Sequence, residues 1–327
     1  MKVLITGGAG FVGANLTEHL LEQGDYRVRI LDNLAVGDRA YMTDIIERLG
    51  AANRVEVVEG DVRDPDAVDE AVEGVDAVAH LAAETNVVQS LAEPVANVEA
   101  NALGALTVLE GCRRRDVERF IFASSNAAVG EQTPPIDEAK VPAPLSPYGA
   151  AKLAGEALCS AYAHSFGMQT AALRFANVYG PYADHKPSVV ARFIRTALAE
   201  EPLVIYGDGR QTRDFIHARD IARAIEAALR LERPVTDLDN VVFQIATGVE
   251  TPIADLAERI RALAQEAGLE VPELRFEGER KGEIRKNYAD IGKARNLLGF
   301  EAMVGLQEGV REVWERWRRR RSAGSSA

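Results

Sequence analysis

The sequence predicts an α/β protein built on a doubly wound parallel sheet, with a smaller mixed α/β region after it. In the first half of the chain, short continuous apolar runs alternate with segments of helical periodicity, as expected for parallel strands covered on both faces. The first apolar run ends in a cluster of glycines, and a helical pattern follows it directly. We predict strands near 3–6, 27–32, 54–59, 76–81, 119–123 and 169–174, and helices near 12–23, 41–49, 65–73, 95–115 and 148–166.

The pattern changes after Phe175, where strands and helices become mixed. Because no Gly/Ser/Pro-rich linker separates the halves, we predict two closely joined domains: 1–176, to which the chain returns near 209–246, and 177–327. The terminal RWRRRRSAGSSA is predicted to fray from a helix into a solvated tail. The other predicted elements are helices near 188–200, 217–231 and 252–267, extended segments at 203–206 and 241–245, and two short C-terminal helices after the charged stretch 277–287.

Composition narrows the class of protein. The net charge of −12 argues against non-specific nucleic-acid binding, so an anionic substrate would need a local cluster of Arg and Lys. Two cysteines, Cys112 and Cys159, lie in apolar helical patterns, which predicts buried thiols in a reducing cytoplasm. No apolar run reaches membrane-spanning length, and the N-terminus is interpreted as the first strand and not a signal peptide. We expect no metal site and no membrane partner.

The opening MKVLITGGAGFVGA predicts a dinucleotide site of the Rossmann type. Gly7, Gly10 and Gly13 follow a strand and open a helix, so the backbone can approach a pyrophosphate at the helix N-terminus. Asp32 ends the next strand about twenty residues later, where a carboxylate accepts hydrogen bonds from ribose hydroxyls. A carboxylate there repels a 2′-phosphate, so the sequence favours NAD over NADP. The alternative interpretation is an ordinary glycine turn.

A second set of residues indicates proton transfer. Tyr148 and Lys152 are separated by one helical turn and share a face, and Pro147 suits the start of their helix. An ammonium group one turn away stabilises a phenolate, which lets tyrosine act as a base near neutral pH. Ser125 ends the strand FIFASS and can bind the same substrate oxygen. We predict Ser125, Tyr148 and Lys152 as catalytic residues beside an oxidised nicotinamide; a surface Tyr–Lys pair is the plain alternative.

Together these motifs resemble the extended short-chain dehydrogenase/reductases, and within them the NAD-dependent nucleotide-sugar epimerase/dehydratase family. The resemblance covers nearly the whole chain. It implies that Asp61 and Val62 flank the adenine, that Asn101 supports the site from its helix, and that Ser124 contacts the nicotinamide side. The other cofactor-binding residues that it implies are Phe11, Val12, Asn33, Leu81, Ala82, Ala83, Tyr148, Lys152 and Phe175.

The resemblance also implies a nucleotide-sugar substrate. Asn177 in LRFANVYGP would touch the sugar nucleotide, and Ser125 would bind its sugar. Arg213 in GDGRQTRDFIHARDIA and Arg280 in ERKGEIRKNYADIGKA would bind the diphosphate, and Glu283 would bind the ribose. Two guanidinium groups suit a diphosphate because each can form forked hydrogen bonds.

Among the reactions of this family, the sequence favours 4-epimerisation of UDP-glucose and UDP-galactose. The resemblance implies that a dehydratase or decarboxylase of this family carries acidic residues just after the catalytic strand. This chain has Asn126 and Ala127 at those positions. A UDP-glucuronate 4-epimerase is the main rival; a cation would have to meet the uronate carboxylate, and Asp184 disfavours this although Lys186 is close. A non-catalytic NAD-binding regulator is a remote alternative, because such proteins usually lose the Tyr or Lys.

Helices 95–115 and 148–166 carry apolar residues on more than one face, namely Leu103, Leu106, Leu109, Leu153, Leu158 and Tyr162. One face must cover the sheet, and the other can pair with a second subunit. The resemblance implies a homodimer that forms through these helices as a four-helix bundle. Burial of both faces in the core is the alternative.

Overall fold

A parallel seven-stranded sheet organises the computed structural model, which describes residues 1–231, 242–279 and 284–324. The strand order is β11-β6-β5-β4-β1-β2-β3, and each neighbouring pair is parallel. Its strands are β1 (Lys2–Thr6), β2 (Arg27–Asp32), β3 (Val55–Glu59), β4 (Ala77–His80), β5 (Arg119–Ser125), β6 (Gln169–Phe175) and, from the second half of the chain, β11 (Val242–Ile245). The doubly wound sheet that the sequence predicts is confirmed.

Three two-stranded sheets complete the β structure of the described ranges. The strand β7 (Asn177–Tyr179) pairs with β10 (Phe215–His217) in parallel, and β8 (Leu203–Tyr206) pairs with β13 (Leu274–Glu277), also in parallel. The short strands β9 (Thr212–Arg213) and β12 (Thr251–Pro252) are antiparallel. These small sheets all lie in the second half of the chain, as its mixed pattern predicts.

Helices cover both faces of the large sheet. On one face, α1 and α9 pack in a core with Leu16, Leu20, Ile221 and Ile225. On the other face, α3, α6 and α7 bury Val68, Leu109 and the two cysteines, so burial raises the pKa of the Cys112 thiol to about 12. The helices are α1 (Phe11–Gln23), α2 (Arg39–Leu49), α3 (Pro65–Val72), α4 (Val87–Ala92), α5 (Pro94–Val98), α6 (Gly104–Arg114), α7 (Pro147–Phe166), α8 (Val189–Leu198), α9 (Ala218–Leu229), α10 (Ile253–Glu266), α11 (Gly292–Leu298) and α12 (Leu306–Gly324).

The single helix predicted at 95–115 is wrong in detail, because α5 and α6 are joined by a π-helical turn, Glu99–Leu103. The side-chain amide of Asn101 donates to the carbonyl of Asn97 at 3.0 Å. That carbonyl is the acceptor that the Asn101 N–H would use in a regular helix, so the side chain competes with the α-helical hydrogen bond.

The prediction of two short C-terminal helices is wrong for the second of them, and residues 325–327 of the predicted tail lie outside the described residues. The second C-terminal helix, α12, is long, and its arginine-rich part does not fray into solvent before Gly324. Trp314 and Trp317 are buried on its inner face, and Arg320 pairs with Asp184 at 3.5 Å. The apolar side chains anchor the helix, so its arginines are held against the protein. In the described parts of the chain, no helix has the length and apolar character needed to cross a membrane.

Candidate active site

A cleft of about 870 Å³ opens at the carboxyl ends of the strands of the large sheet. Strand order reverses between β1 and β4, and this switch point is where an open α/β sheet leaves room for a ligand. The hydroxyl of Thr6 lies 2.9 Å from Nδ1 of His80, which ties the ends of these two strands together. The cleft then runs from the glycine turn to β7 and β9 in the second half of the chain.

The glycine turn forms one end of the cleft. Gly7 has a φ of +70°, and a Cβ there would lie 2.7 Å from the amide nitrogen of Ala82. A Cβ on Gly13 would lie 2.2 Å from the carbonyl oxygen of Gly7, so only glycine lets α1 begin this close to β1. Helix α1 has Gly10 as its N-cap and receives no side-chain capping bond. Its N-terminus therefore faces the cleft, with its partial positive charge uncompensated by a side chain.

Asp32 reaches the same end of the cleft at the tip of β2. One of its carboxylate oxygens accepts from the backbone N–H of Ala9 at 2.9 Å, and the other accepts from the N–H of Leu34 at 2.8 Å. The carboxylate thus fixes the glycine turn against the following loop. Each oxygen has a second lone pair for a hydroxyl donor in the cleft.

Asp61 lines the cleft beside Asn33, whose side-chain amide donates to it at 3.0 Å. Hydrogen bonds from Arg63 hold the pKa of Asp61 well below its usual range. Asp61 is therefore ionised at neutral pH.

The remaining predicted cofactor residues divide into two groups. Asn101 does not line the cleft, because its amide donates to the backbone carbonyl of Glu84 and so holds the loop after β4 from behind. The residues that do line it are Phe11, Val12, Val62, Leu81, Ala82, Ala83, Ser124, Tyr148 and Phe175.

Ser125 and Tyr148 meet on the cleft wall next to the glycine turn. Ser125 ends β5, and its hydroxyl accepts from the N–H of Ala127 at 3.1 Å, which starts a short 3₁₀ turn. Helix α7 begins one residue before Tyr148, with Pro147 in its first turn, and Ser146 caps it by accepting from the N–H of Gly149 at 3.1 Å. Burial raises the pKa of the Tyr148 phenol, and a hydrogen bond with Ser125 opposes that rise. The serine therefore favours the phenolate.

Lys152 lies behind Tyr148, buried beneath the cleft wall and outside its lining. Its ammonium donates to the backbone carbonyl of Ala123 at 2.8 Å and lies 5.9 Å from the centre of the Tyr148 ring. Burial lowers the pKa of Lys152 to about 7, an effect that Glu156 opposes and Lys186 adds to. The predicted Tyr–Lys pair therefore shares a face of α7, with the lysine behind the aromatic ring.

The far end of the cleft is built from the second half of the chain. Asn177 on β7 and Arg213 on β9 both line it. Arg213 is anchored by donating to the carbonyls of Thr212 at 2.7 Å and Ile284 at 2.8 Å. Arg280 and Glu283, the other predicted substrate residues, lie outside the described residues.

One cleft residue, Arg192, escapes the sequence reasoning, and another, Lys186, enters it only as a cation close to the position that would meet a uronate. Arg192 on α8 lines the cleft, with its guanidinium 5.3 Å from the centre of the Tyr206 ring. Lys186 reaches across from the loop before α8 and donates to the hydroxyl of Thr85 at 2.9 Å. Burial lowers the pKa of Lys186. The available signal for Arg192 is its place in a largely apolar helix that has one other cation, Arg195. Lys186 lies in an irregular loop without periodicity.

The cleft fits a dinucleotide in two respects that the geometry itself shows: an uncapped helix N-terminus for the pyrophosphate and a carboxylate at the tip of β2 for a ribose. Residues 3–246 match the model of the NAD dependent epimerase/dehydratase family.

Known relatives cover almost the full length of the chain. A putative UDP-glucose 4-epimerase of Methanocaldococcus jannaschii is 37% identical over 95% of this chain and 96% of the relative. A dTDP-glucose 4,6-dehydratase of Streptomyces niveus is 31% identical over 98% of this chain and 94% of the relative. A crystal structure of UDP-glucose 4-epimerase from Thermotoga maritima, with UDP-glucose, has a TM-score of 0.87 at 32% identity and covers 98% of this chain and 99% of that one. The protein belongs to the NAD dependent epimerase/dehydratase family, and NAD is its cofactor.

Proposed function

We propose that this protein is a UDP-sugar 4-epimerase that interconverts UDP-glucose and UDP-galactose. The observation that carries this proposal is that Ser125 and Tyr148 line the same cleft as the glycine turn, with the Lys152 ammonium 5.9 Å from the centre of the Tyr148 ring. These two hydroxyls can bind one sugar hydroxyl together. The bound NAD supplies the hydride acceptor and donor for the sugar carbon.

In this proposal Tyr148 is the base and later the acid at the sugar O4. The phenolate forms when the proton leaves Tyr148, and the buried ammonium of Lys152 behind the ring lowers the free energy of that anion. Ser125 holds the same sugar oxygen. Between the two proton transfers Tyr148 is the neutral phenol, and the Ser125 hydroxyl then donates a hydrogen bond to the carbonyl oxygen that O4 has become. Phe175, Leu81 and Ala82 line the cleft with apolar surface that keeps water away from the reacting atoms.

The residues next to Ser125 favour epimerisation over dehydration or decarboxylation. A dehydratase must also remove a proton from C5 and protonate the C6 oxygen as it leaves, which needs a further acid and base. Asn126 and Ala127 form the 3₁₀ turn at that place, and neither side chain titrates. A non-catalytic NAD-binding regulator is disfavoured because Ser125, Tyr148 and Lys152 are all retained and assembled.

The substrate diphosphate is proposed to lie between Arg213 and Arg192, which line the same end of the cleft from different elements. Asn177 is proposed to contact the sugar nucleotide there. Asp32 is proposed to accept from the adenosine ribose. The proposed roles of Arg280 in phosphate binding and of Glu283 in ribose binding rest on the resemblance alone.

Lys186 supports UDP-glucuronate as a second candidate substrate. Its half-buried ammonium lies in the cleft, and the carboxyl group of a uronate would satisfy such a cation better than a neutral hydroxyl does. We keep UDP-glucose first because Thr85 already accepts a hydrogen bond from Lys186, so the ammonium does not require an anion.

We also propose the two-domain division at residue 176 and a homodimer formed through the helices at 94–114 and 147–166. Exposed apolar side chains on the first of these helices support the dimer, with Val95 70% exposed and Leu103 52% exposed. Helix α7 adds small exposed side chains, Ala150, Ala157 and Ala161, which allow close helix contact.

The test is a product assay in which the purified protein is incubated with UDP-galactose, and separately with UDP-glucuronate, without added nicotinamide. We expect UDP-glucose from the first substrate and little product from the second. A 4-keto-6-deoxy sugar would show a dehydratase instead, and preferred turnover of UDP-glucuronate would make the second candidate the correct one. Light scattering on the same sample tests the homodimer.

A further inference from the structure

One buried carboxylate close to the catalytic group has no part in the mechanism above. Glu156 is 4% exposed and lies on α7, one turn after Lys152 and two turns after Tyr148. Residues at this spacing share one face of a helix. The carboxylate is therefore directed toward the same side of α7 as the phenol and the ammonium.

Three donors hold this carboxylate in place. The hydroxyl of Ser124 donates to one oxygen at 2.5 Å, and Nε of Arg174 donates to the same oxygen at 2.8 Å. Nη2 of Arg174 donates to the other oxygen at 2.7 Å. Ser124 is on β5 and Arg174 is on β6, so Glu156 fastens α7 to the two strands beneath it. Ser124 also precedes Ser125, so this contact fixes the end of the catalytic strand.

Glu156 also acts on the charge of Lys152. Burial lowers the pKa of Lys152, and the positive charge of Lys186, in the loop before α8, lowers it further. The carboxylate of Glu156 raises it and so favours the ammonium. His80 on β4 adds no positive charge, because burial, and to a lesser extent Lys152, lower its pKa to about 3. Tyr148 completes the set of titratable groups around the ammonium.

A buried ion pair is a costly way to join a helix to a sheet. Desolvation of two charges offsets much of their attraction, so an apolar contact of similar size would often stabilise the fold as well. The Glu156–Arg174 pair, with both partners about 96% buried in their side chains, therefore calls for a role other than stability.

We propose that Glu156 is a positioning residue that acts through Lys152: its charge keeps the lysine as an ammonium, and its hydrogen bond to Ser124 holds the end of β5 against α7. Arg174 holds the Glu156 carboxylate in its orientation through two hydrogen bonds. The consequence for turnover rests on the proposed function, because it needs Tyr148 to be the base. The effect on the charge of Lys152 does not.

The decisive experiment is a pH titration of Lys152 by carbon NMR on protein labelled with ¹³C at the lysine ε-carbon. The chain has seven lysines, and Lys152→Arg identifies the signal of Lys152. We expect Glu156→Gln, which keeps the shape and an oxygen acceptor, to lower the titration midpoint of Lys152 by about one pH unit or more. Glu156→Asp keeps the negative charge, so the Lys152 midpoint of this variant should lie close to that of the wild type.

The matched control is Glu226→Gln. Glu226 is also a partly buried carboxylate paired with an arginine, Arg230, but it lies on α9 and does not line the cleft. We expect no change in the Lys152 midpoint. Because Glu156→Gln leaves Arg174 as an unpaired buried charge that can impair folding, the double variant Glu156→Gln/Arg174→Gln removes both charges. It should lower the midpoint in the same direction by a smaller amount.

An unchanged Lys152 midpoint in both Glu156→Gln and the double variant Glu156→Gln/Arg174→Gln overturns the proposal, even if the thermal stability of these variants falls. Only a structural role for Glu156 would then remain. Steady-state kinetics add the link to catalysis. The active enzyme needs the ammonium, so kcat falls as pH rises through the pKa of Lys152, and Glu156→Gln should move this fall to lower pH while KM changes less than about three-fold. If the wild type epimerises no UDP-sugar, the proposed function fails, and the NMR midpoint still decides the role of Glu156.

Discussion

The two ends of the cleft are built in different ways. The end at α1 consists of backbone and small residues at the tips of strands of the large sheet, and its spacing depends on glycines that touch other backbone atoms. The far end consists of long side chains on short strands and on the loop 181–187. This loop is held from outside by arginines of α8 and α12, since Arg195 donates to the carbonyls of Asp184 and Lys186 and Arg320 pairs with Asp184. The end of the cleft that is made of backbone, the proposed cofactor site, can be predicted from sequence motifs. The far end, the proposed substrate site, is made of side chains from distant segments and cannot be predicted in this way.

Tyr148 stands where the two ends meet, and its removal should have the largest effect. We expect Tyr148→Phe to lower kcat by about 10²–10⁴-fold, because it deletes the group that we propose transfers the proton. NAD affinity and thermal stability should stay close to those of the wild type, since the ring and its packing remain. Turnover at the wild-type level would remove Tyr148 from the mechanism.

Gly13→Ala tests the cofactor end alone. The new methyl group would meet the carbonyl of Gly7 at 2.2 Å, so α1 must move away from the turn that binds the pyrophosphate. We expect weaker NAD binding by about ten-fold or more and a lower melting temperature, consistent with an overpacking cost of about 1–3 kcal/mol. Gly305→Ala is the matched control, because a Cβ there meets nothing within 4 Å. Equal effects of both substitutions would contradict the close-contact explanation.

Arg320→Gln tests the substrate end alone. It removes the partner of Asp184 on the outer side of the loop that carries Lys186. We expect KM for the UDP-sugar to rise about two- to five-fold, because a half-exposed ion pair contributes only about 0.2–1 kcal/mol. NAD affinity should not change. Arg318→Gln, on the same helix and paired with Glu315, is the control and should leave KM unchanged.

The smallest expected effect concerns Asp61, at the cofactor end. Hydrogen bonds from Arg63 lower its pKa in the folded protein, so its contribution to stability is present above the unfolded pKa of about 4 and is lost as pH falls below that value. We expect Asp61→Asn to cost no more than about 1 kcal/mol at pH 7 and to make acid unfolding between about pH 5 and 2 less steep. Chemical denaturation across this pH range measures both. An unchanged pH slope would show that the ion pair contributes nothing.

The placement of the glycine turn and Asp32 at one end of the cleft could be predicted from the sequence for a physical reason. The positions of Gly7, Gly13 and Asp32 follow from local rules of strand, turn and helix, and the parallel sheet brings strand ends to one edge without further information. Tyr148, Lys152 and Ser125 were predictable because two of them share one helix and the third ends a strand.

The rest depended on contacts between segments far apart in the chain. The π-helical turn arises because the side chain of Asn101 takes a backbone carbonyl, a competition that helical periodicity does not register. Nothing in the arginine-rich end of α12 indicates that it will meet Asp184, which is more than a hundred residues earlier. Glu156 fits the helical spacing of Tyr148 and Lys152 on α7. Its partner Arg174 lies on strand β6, so the burial of Glu156 could not be inferred from that spacing.

The contact of Lys186 with Thr85 has a consequence for how a ligand enters and leaves. The lysine comes from the second half of the chain and the threonine from the first, so their 2.9 Å hydrogen bond spans the cleft. A sugar oxygen that arrives beside Lys186 can replace the threonine hydroxyl as acceptor, and the hydroxyl can return when the product departs. The half-buried ammonium then has an acceptor at every stage, so exchange of the proposed sugar ligands does not leave this charge without a hydrogen bond.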